Sequence, residues 1–271
     1  MNTKKLRLGL IGKDVSKSPS GQIHTFILNE LGVECEYEKM SVKADGFDNA
    51  MRRLLGDFDA FSVTIPYKRD VFEYLDGIEG EALACGAVNT VINATRQGYN
   101  TDGAGFMLML AWAGIPVQGK RVLVLGAGGS GRSSAVALKN AGASVAMYRR
   151  NKAELDEVCA QLGVEAADDP ETGGYDILLN CTGVGMHDSE GKSPVSAKAF
   201  AGAEFAVDLI YVPAESEFLR LAKGQGLKTL NGASMLFYQA YYADCLFLGK
   251  TPNVEEAAKL YEKYCNQTND N

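Results

Sequence analysis

Histidine is nearly missing from this chain: His24 and His187 are the two it has. Its six cysteines, Cys35, Cys85, Cys159, Cys181, Cys245 and Cys265, are scattered with no Cys-x-x-Cys spacing. Neither a zinc site nor a disulfide framework is built from such a set. No metal site is expected, and the thiols read as reduced and mostly buried, the pattern of a cytoplasmic protein. Cys181, beside a candidate cofactor loop, is the one cysteine expected to be reactive. No apolar run approaches the ~18 consecutive residues of a membrane span. Basic excess is lacking too. The formal charge of -7 argues against nucleic acid or an anionic membrane as partner, because both call for a cationic face. The opening Met1–Lys5 runs straight into the apolar stretch Leu6–Ile11 without a cleavage-site pattern, so no secretory leader is expected. Repeats, low-complexity tracts and a coiled-coil seam are absent, which leaves the oligomeric state open between monomer and homodimer.

What is present is an alternation. A chain of 271 residues, 46% apolar and 23% charged, suffices for two soluble domains, each with its own core. Short apolar runs alternate with amphipathic helices, the α/β pattern. Leu6–Ile11, Glu36–Val42 and Asp59–Ile65 read as strands. Ser20–Leu31 and Phe47–Leu55 read as helices stopped by Gly32 and Gly56, and Ala87–Asn93 with Thr95–Tyr99 as paired strands. Phe106–Ala113 is an apolar helix ended by Gly114.

From Lys120 the style changes. Arg121–Leu125 is a continuous apolar run, as for a strand covered on both faces. Arg132–Ala141 and Lys152–Leu162 read as helices, and Ala143–Tyr148 and Asp176–Asn180 as strands. Ala206–Ile210, Ala214–Lys223 and Leu227–Leu230 continue the alternation. Met235–Leu248 reads as a second crossing helix, and Asn266–Asn271 as a frayed tail. The expected division is one α/β domain of residues 1–102 plus 240–271 and a Rossmann-like dinucleotide-binding domain of 103–239.

The second domain carries the first chemical signal. Gly126, Gly128 and Gly131 fit G-x-G-x-x-G, with a strand before and a helix after. Glycine lets the backbone turn tightly and approach a pyrophosphate, whose charge then sits on the helix N-terminus. At the end of the next strand an NAD site usually carries an acid for the ribose 2′-hydroxyl. Here Tyr148-Arg149-Arg150-Asn151-Lys152 stands instead, with no acid until Glu154. Paired guanidinium groups suit a 2′-phosphate, so NADP(H) is favoured.

The first domain carries the second signal, in two polar turns: Ser62-Val63-Thr64-Ile65-Pro66-Tyr67-Lys68 and Asn100-Thr101-Asp102-Gly103-Ala104-Gly105-Phe106. Alone, Lys68 reads as a solvated side chain and Asp102 as a helix N-cap. Other residues also take the plainer reading. His24, on the first helix, is expected to be a packing or bonding residue rather than a catalyst, and His187 to be exposed. Trp112 is expected in the core, and Tyr238, Tyr241 and Tyr242 as packing residues around Gln239.

Taken together the strings resemble the shikimate dehydrogenase family over nearly the whole chain. Its Ser-x-Ser-Pro-x-x-His-Asn appears as Ser18-Pro19-Ser20-Gly21-Gln22-Ile23-His24-Thr25. Its Asn-Val-Thr-x-Pro-x-Lys appears as Ser62 to Lys68. Gly-Ala-Val-Asn-Thr stands intact at Gly86–Thr90, and Asn-Thr-Asp-Gly-x-Gly-Phe at Asn100–Phe106. The glycine-rich loop, Asn180–Met186, Asp208–Pro213 and Met235–Ala240 also match.

The resemblance implies NADPH-dependent reduction of 3-dehydroshikimate to shikimate, a step of aromatic amino-acid biosynthesis, with a small-molecule substrate as partner. It implies Lys68 as general acid/base, held by Asp102. It gives Ser18 and Ser20 to the substrate carboxylate, and Thr64, Asn89, Asp102 and Gln239 to its hydroxyls, with Tyr211 nearby. It gives the cofactor to Gly126, Ala127, Gly128, Gly129, Ser130, Gly131, Arg149, Arg150, Thr182 and Gly232. The chemistry suits the residue types: reducing a ketone leaves a developing alkoxide, which needs a proton and a nearby positive charge. Three departures stand out: Gly21 for proline, Thr25 for asparagine, and Ser62 for asparagine. They leave open the choice of ring substrate, so a quinate or aminoshikimate dehydrogenase is the alternative, and a non-catalytic NADP(H)-binding sensor the remoter one.

Overall fold

Two compact units divide the chain, residues 1–105 with 236–271 and residues 106–235. The computed structural model describes residues 5–269. Met1–Lys4, part of the leader reading, lies outside the described residues, as do residues 270–271 of the tail.

In the first unit the chain runs β1 (Leu6–Gly12), α1 (Ser20–Glu30), β2 (Cys35–Ser41), α2 (Phe47–Asp57) and β3 (Ala60–Val63). There follow β4 (Gly77–Ile78), α3 (Gly80–Cys85), β5 (Thr90–Ile92), β6 (Gln97–Tyr99) and the first residues of α4 (Asp102–Trp112). The sheet order is β2-β1-β3-β5-β6-β4. β2, β1 and β3 are parallel, whereas β5 runs antiparallel to both β3 and β6. Side chains alternate along a strand, so β1 sends Leu8 and Leu10 to one face and Gly9 and Ile11 to the other. On the second face Ile11, Phe61 and Val63 pack on Phe47, Met51 and Leu54 of α2. On the first, Leu8 and Ala60 pack on Leu28 of α1, with Tyr37 and Phe247 beside them.

The second unit holds β7 (Arg121–Leu125), α5 (Gly129–Asn140), β8 (Ser144–Tyr148), α6 (Lys152–Leu162) and β9 (Glu165–Ala166). It continues through β10 (Ile177–Asn180), β11 (Phe205–Asp208), α7 (Glu217–Gly224) and β12 (Lys228–Asn231). Its strand order is β12-β11-β10-β7-β8-β9, parallel throughout. Read from β9, that is the 3-2-1-4-5-6 order of a Rossmann domain, which reverses between β7 and β10. Val122, Leu123, Val124 and Leu125 are all buried, as expected for a strand covered on both faces. After α8 (Ala233–Phe247), the chain ends in α9 (Val254–Asn269). The fold class is therefore α/β with an N-terminal α/β unit and a Rossmann-like unit.

The sequence reading needs correction in places. Contacts place the unit boundaries after Gly105 and before Leu236, so Gln239 belongs to the first unit rather than the second. Gly56 does not stop α2, which continues to Asp57. A helical glycine costs about 1 kcal/mol, less than the ~1.5–3 kcal/mol each of Phe47, Met51 and Leu54 gains by burial. α5 begins at Gly129, not Arg132, so part of the glycine loop is already helical. Asn266 to Asn269, read as frayed, continue α9. Trp112 is 44% exposed instead of lying in the core. Among the described residues no helix is long and apolar enough to cross a membrane.

Candidate active site

One end of the first sheet collects the polar turns. β1 and β3 are parallel and finish there, at Gly12 and Val63. Antiparallel β5 starts there, with Thr90 opposite Ser62, and β6 finishes there, with Tyr99 opposite Thr90. Strand direction alone therefore brings the segments after Gly12, Val63 and Tyr99 to the segment before Thr90.

Lys68 Nζ donates to Asp102 Oδ2 at 2.5 Å, and their side chains are 18% and 11% exposed. The other carboxylate oxygen, Oδ1, accepts from Asn89 Nδ2 at 2.7 Å. Asn89 Oδ1 accepts from the Thr101 backbone N–H at 2.9 Å and from Thr90 Oγ1 at 2.8 Å. Its Nδ2 also donates to Thr101 Oγ1 at 3.2 Å. An amide side chain has two donor hydrogens and one carbonyl oxygen, and here both ends are engaged. Asn100 adds a turn: its Oδ1 accepts from the Asp102 N–H at 3.0 Å, and its Nδ2 donates to the Ala87 carbonyl at 2.8 Å. The main chain of Lys68 is pinned as well, its carbonyl accepting from the Val88 N–H at 2.8 Å. Asp102 is thus held from both oxygens and its own backbone, and Lys68 has a fixed anionic partner.

Most of the other substrate-side residues have their own local partners. Thr64 follows β3 and its N–H donates to the Ile11 carbonyl at 2.9 Å. A Cβ at Gly12 would lie 2.5 Å from Thr64 Cγ2, so glycine there is what admits the threonine. Ser20 opens α1 and is buried; Ser18 Oγ accepts its N–H at 3.3 Å. Gln239 Oε1 accepts from Thr101 Oγ1 at 3.4 Å. Tyr211 belongs to the second unit, 42% exposed on the loop after β11.

In the second unit the glycine loop links β7 to α5. Gly126 has φ +100, a conformation natural to glycine. A Cβ on Gly131 would overlap the Gly126 carbonyl oxygen, so the first helical turn can sit on the strand end only without one. A Cβ on Gly128 or Gly129 would meet no protein atom within 4 Å. The first N–H groups of an α-helix lack partners within the helix, so the loop offers donors on an open surface free of side chains, which fits a pyrophosphate. Arg132 Nε braces the loop on the Ala127 carbonyl at 3.2 Å.

Thr182 follows β10, next to β7, with its Oγ1 donating to Asn180 Oδ1 at 2.7 Å. Gly232 packs directly on the Leu209 carbonyl, where a Cβ would overlap it. Asp208 was not singled out by the sequence, yet it ties the loops after β10 and β11. Its fully buried carboxylate accepts from Asn180 Nδ2 at 3.0 Å, Ser216 Oγ at 2.5 Å and the Ile210 N–H at 3.0 Å. Burial pushes its carboxyl above the ordinary range.

Arg149 and Arg150 directly follow the end of β8, Arg150 exposed. Arg149 is ion-paired to Glu154, whose Oε1 also accepts from Asn151 Nδ2 at 2.6 Å. The sequence reading missed this restraint, although Asn151 and Glu154 stand at the N-cap and third helical positions, the spacing of a capping box.

Two expectations about reactive groups turn out differently from each other. Burial pushes the Cys181 thiol up, so it is not poised as a thiolate. His24 is buried and bonded as expected: its Nδ1 lies 2.6 Å from Asp244 Oδ1, with both side chains fully buried. Tyr238 and Tyr241 are buried packing residues, and His187 is exposed. Among the described residues no group of three or more His, Cys, Asp or Glu could hold a metal ion.

Residues 10–91 match the family model of the shikimate dehydrogenase substrate binding domain. A shikimate dehydrogenase (NADP(+)) of Thermus thermophilus is 36% identical over 259 residues, 94% of this chain and 98% of that protein. That of Caldanaerobacter subterraneus subsp. tengcongensis is 39% identical over 258 residues, 89% and 91% of the two chains. The crystal structure of a Thermus thermophilus shikimate 5-dehydrogenase in complex with NADP(H) and shikimate aligns with a TM-score of 0.87 at 34% identity, covering 95% of this chain and 99% of that one. With both units matched end to end and the motif residues gathered as described, the chain belongs to the shikimate dehydrogenase family.

Proposed function

We propose that this protein catalyses the reversible NADPH-dependent reduction of 3-dehydroshikimate to shikimate, as a cytoplasmic step of aromatic amino-acid biosynthesis. The observation that carries the reading is the restrained Lys68–Asp102 pair, at 2.5 Å. Bound NADPH supplies the hydride. As the ketone is reduced its oxygen gains negative charge, and the Lys68 ammonium both stabilises that charge and donates the proton. In the oxidative direction Lys68 takes the proton back. Asp102 keeps the ammonium in position, and Asn89 keeps Asp102 from rotating away.

Ser18 and Ser20 hydroxyls receive the substrate carboxylate, and Thr64, Asp102 and Gln239 its ring hydroxyls. Tyr211 carries over from the family pattern alone. Buried donors left unpaired by a poorer analogue supply the selectivity. For the cofactor, Gly126 to Gly131 cradle the pyrophosphate, and Thr182 and Gly232 shape the loops alongside. Arg149 and Arg150 take the 2′-phosphate, Arg149 by exchanging Glu154 for the stronger anion.

The test is steady-state oxidation of shikimate with NADP, beside quinate and NAD in one buffer. The expected kcat/KM for shikimate with NADP is at least ~100-fold above the other pairings, about 2.7 kcal/mol of discrimination. Comparable quinate turnover would move the protein to a dual-substrate branch and implicate Ser62. Nucleotide binding without turnover on any such ring acid would overturn the reading.

A further inference from the structure

A Rossmann sheet binds a dinucleotide across the carboxyl ends of its strands, one nucleoside on each side of the point where strand order reverses. Here that point lies between β7 and β10. Arg149 and the glycine loop belong to the β7-β8-β9 side and take the 2′-phosphate and the pyrophosphate. The β12-β11-β10 side is left for the nicotinamide half, above the turns that follow Asn180, Asp208 and Asn231.

One carboxylate ties those turns together. Asp208 Oδ1 accepts from Asn180 Nδ2 and from the Ile210 N–H, and its Oδ2 accepts from Ser216 Oγ. Neither Asn180 nor Asp208 has any exposed surface. Asn180 Oδ1 accepts in turn from the Thr182 N–H at 3.0 Å and from the Thr182 hydroxyl at 2.7 Å. Thr182 Oγ1 then accepts from the Val184 N–H at 3.1 Å. On the other side, the Ile210 carbonyl accepts from the Gly232 N–H at 3.1 Å. Thr182 also abuts the glycine loop, since a Cβ on Gly126 would stand 3.0 Å from its Cγ2. An unbroken run of hydrogen-bonded residues thus leads from Gly232 through Asp208 to the edge of the pyrophosphate loop.

The two ends of an asparagine amide have nearly the same shape and opposite hydrogen-bonding character. An ionised carboxylate only accepts, so it holds the donating end of Asn180 toward itself and leaves the accepting end to Thr182. Asparagine at position 208 would keep the size but offer a donor as well, and the order of the run would no longer be fixed. In a network without water, such a mismatch is felt by every member.

We infer that Asp208 is a positioning residue for the nicotinamide half of the cofactor. It fixes Asn180 and through it Thr182, and it fixes Ile210 and through it Gly232, so it sets the turns against which the nicotinamide nucleoside rests. The inference rests on the NADP(H)-dependent dehydrogenase reading. It gives Asp208 no contact with the cofactor and no part in holding the adenosine half.

Asp208→Asn tests it in the intact protein, at saturating shikimate and NADP. A misplacement of about 1 Å at the reacting atoms costs on the order of a hundredfold in rate, so kcat should fall about tenfold to a hundredfold. Adenosine 2′,5′-bisphosphate, which carries the 2′-phosphate and no nicotinamide, should bind with a Kd changed by less than about twofold. With shikimate deuterated at the carbon that is oxidised, the isotope effect on kcat should be no smaller than in wild type, because hydride transfer is the step slowed. Ser216→Ala withdraws one of the three donors from Asp208 and should show the same split with a smaller fall in kcat, about twofold to fivefold. If Asp208→Asn does not fold, Ser216→Ala decides alone. Equal losses of kcat and of bisphosphate affinity would make Asp208 a folding residue only and overturn the inference. An unchanged kcat, or an isotope effect that collapses towards one, overturns it as well. Wild-type protein that turns over no ring acid with NADP would instead remove the dehydrogenase reading, before any variant is compared.

Discussion

The backbone nitrogen of Gln239 lies 2.5 Å from where a Cβ on Gly105 would be. α4 and α8 touch there main chain to main chain, which seats Gln239 beside Thr101. Gly105→Ala must push the two helices apart, at a cost of about 1–3 kcal/mol. The expected result is a lower urea midpoint and a reduced kcat/KM for shikimate. Gly56→Ala is the contrast. No atom lies within 4 Å of its added methyl, and it should stabilise α2 by about 0.5–1 kcal/mol. Equal midpoints for the two variants would refute the close-approach argument.

Lys68→Ala is expected to lower kcat by about 10²–10⁴-fold, the range for losing a general acid/base, with a smaller effect on shikimate KM. Asp102→Asn keeps the shape but removes the charge beside Lys68, and should lower kcat/KM as well. Single-turnover rates with NADP would separate chemistry from product release. Near-normal turnover by Lys68→Ala would falsify the mechanism.

Arg149→Ala should raise the KM for NADP by about tenfold or more while leaving that for NAD almost unaltered, because charge-assisted bonds to phosphate are among the stronger ones. Glu154→Ala should do the reverse and lower the KM for NADP, since Arg149 no longer has a competing anion. Fluorescence titration with both nucleotides checks the pair.

Asp244 and His24 are both fully buried and bonded to each other. Removing one partner leaves the other's polar group unpaired in the interior, which costs about 1–3 kcal/mol. Asp244→Ala should therefore be strongly destabilised, whereas Asp244→Leu combined with His24→Leu should recover most of the loss. Chemical denaturation of the three proteins decides it. A double variant no more stable than the single one would count against the pairing.

The Cys181 thiol is pushed above its ordinary value of 9.0 by burial. A raised thiol pKa means less thiolate at any given pH below it, and thiolate is the reactive form. Alkylation of Cys181 by iodoacetamide in the folded protein should stay slower than that of a free cysteine between pH 7 and pH 9 (roughly the titration range of an ordinary thiol). Peptide mass spectrometry reads the label. Rapid labelling at neutral pH would restore the expectation of a reactive cysteine.

Much of the site was legible because it is local. The string from Gly126 to Gly131 carries its own turn, and the segments around Lys68 and Asp102 carry their own polar groups. Apolar periodicity likewise announced most strands and helices, although it erred at Gly56, where packing outweighed propensity, and in the tail, where the last helix runs on to Asn269. α3 and α9 passed unnoticed.

Relations between distant residues were not legible. Nothing in the order of residues says that Asn89 would be engaged at both ends by Thr101 and Asp102, that Glu154 would hold Arg149, or that His24 would find Asp244. The sequence by itself determined the α/β alternation, the glycine loop and the set of chemical groups, since each depends on neighbours along the chain. Only the tertiary structure decided which groups meet: strand direction brings four turns to one sheet end, and the small size of Gly12, Gly105 and Gly131 lets backbones approach. Hydrogen bonds of 2.5–3 Å require placements that local propensity cannot specify, because they arise from how whole elements pack.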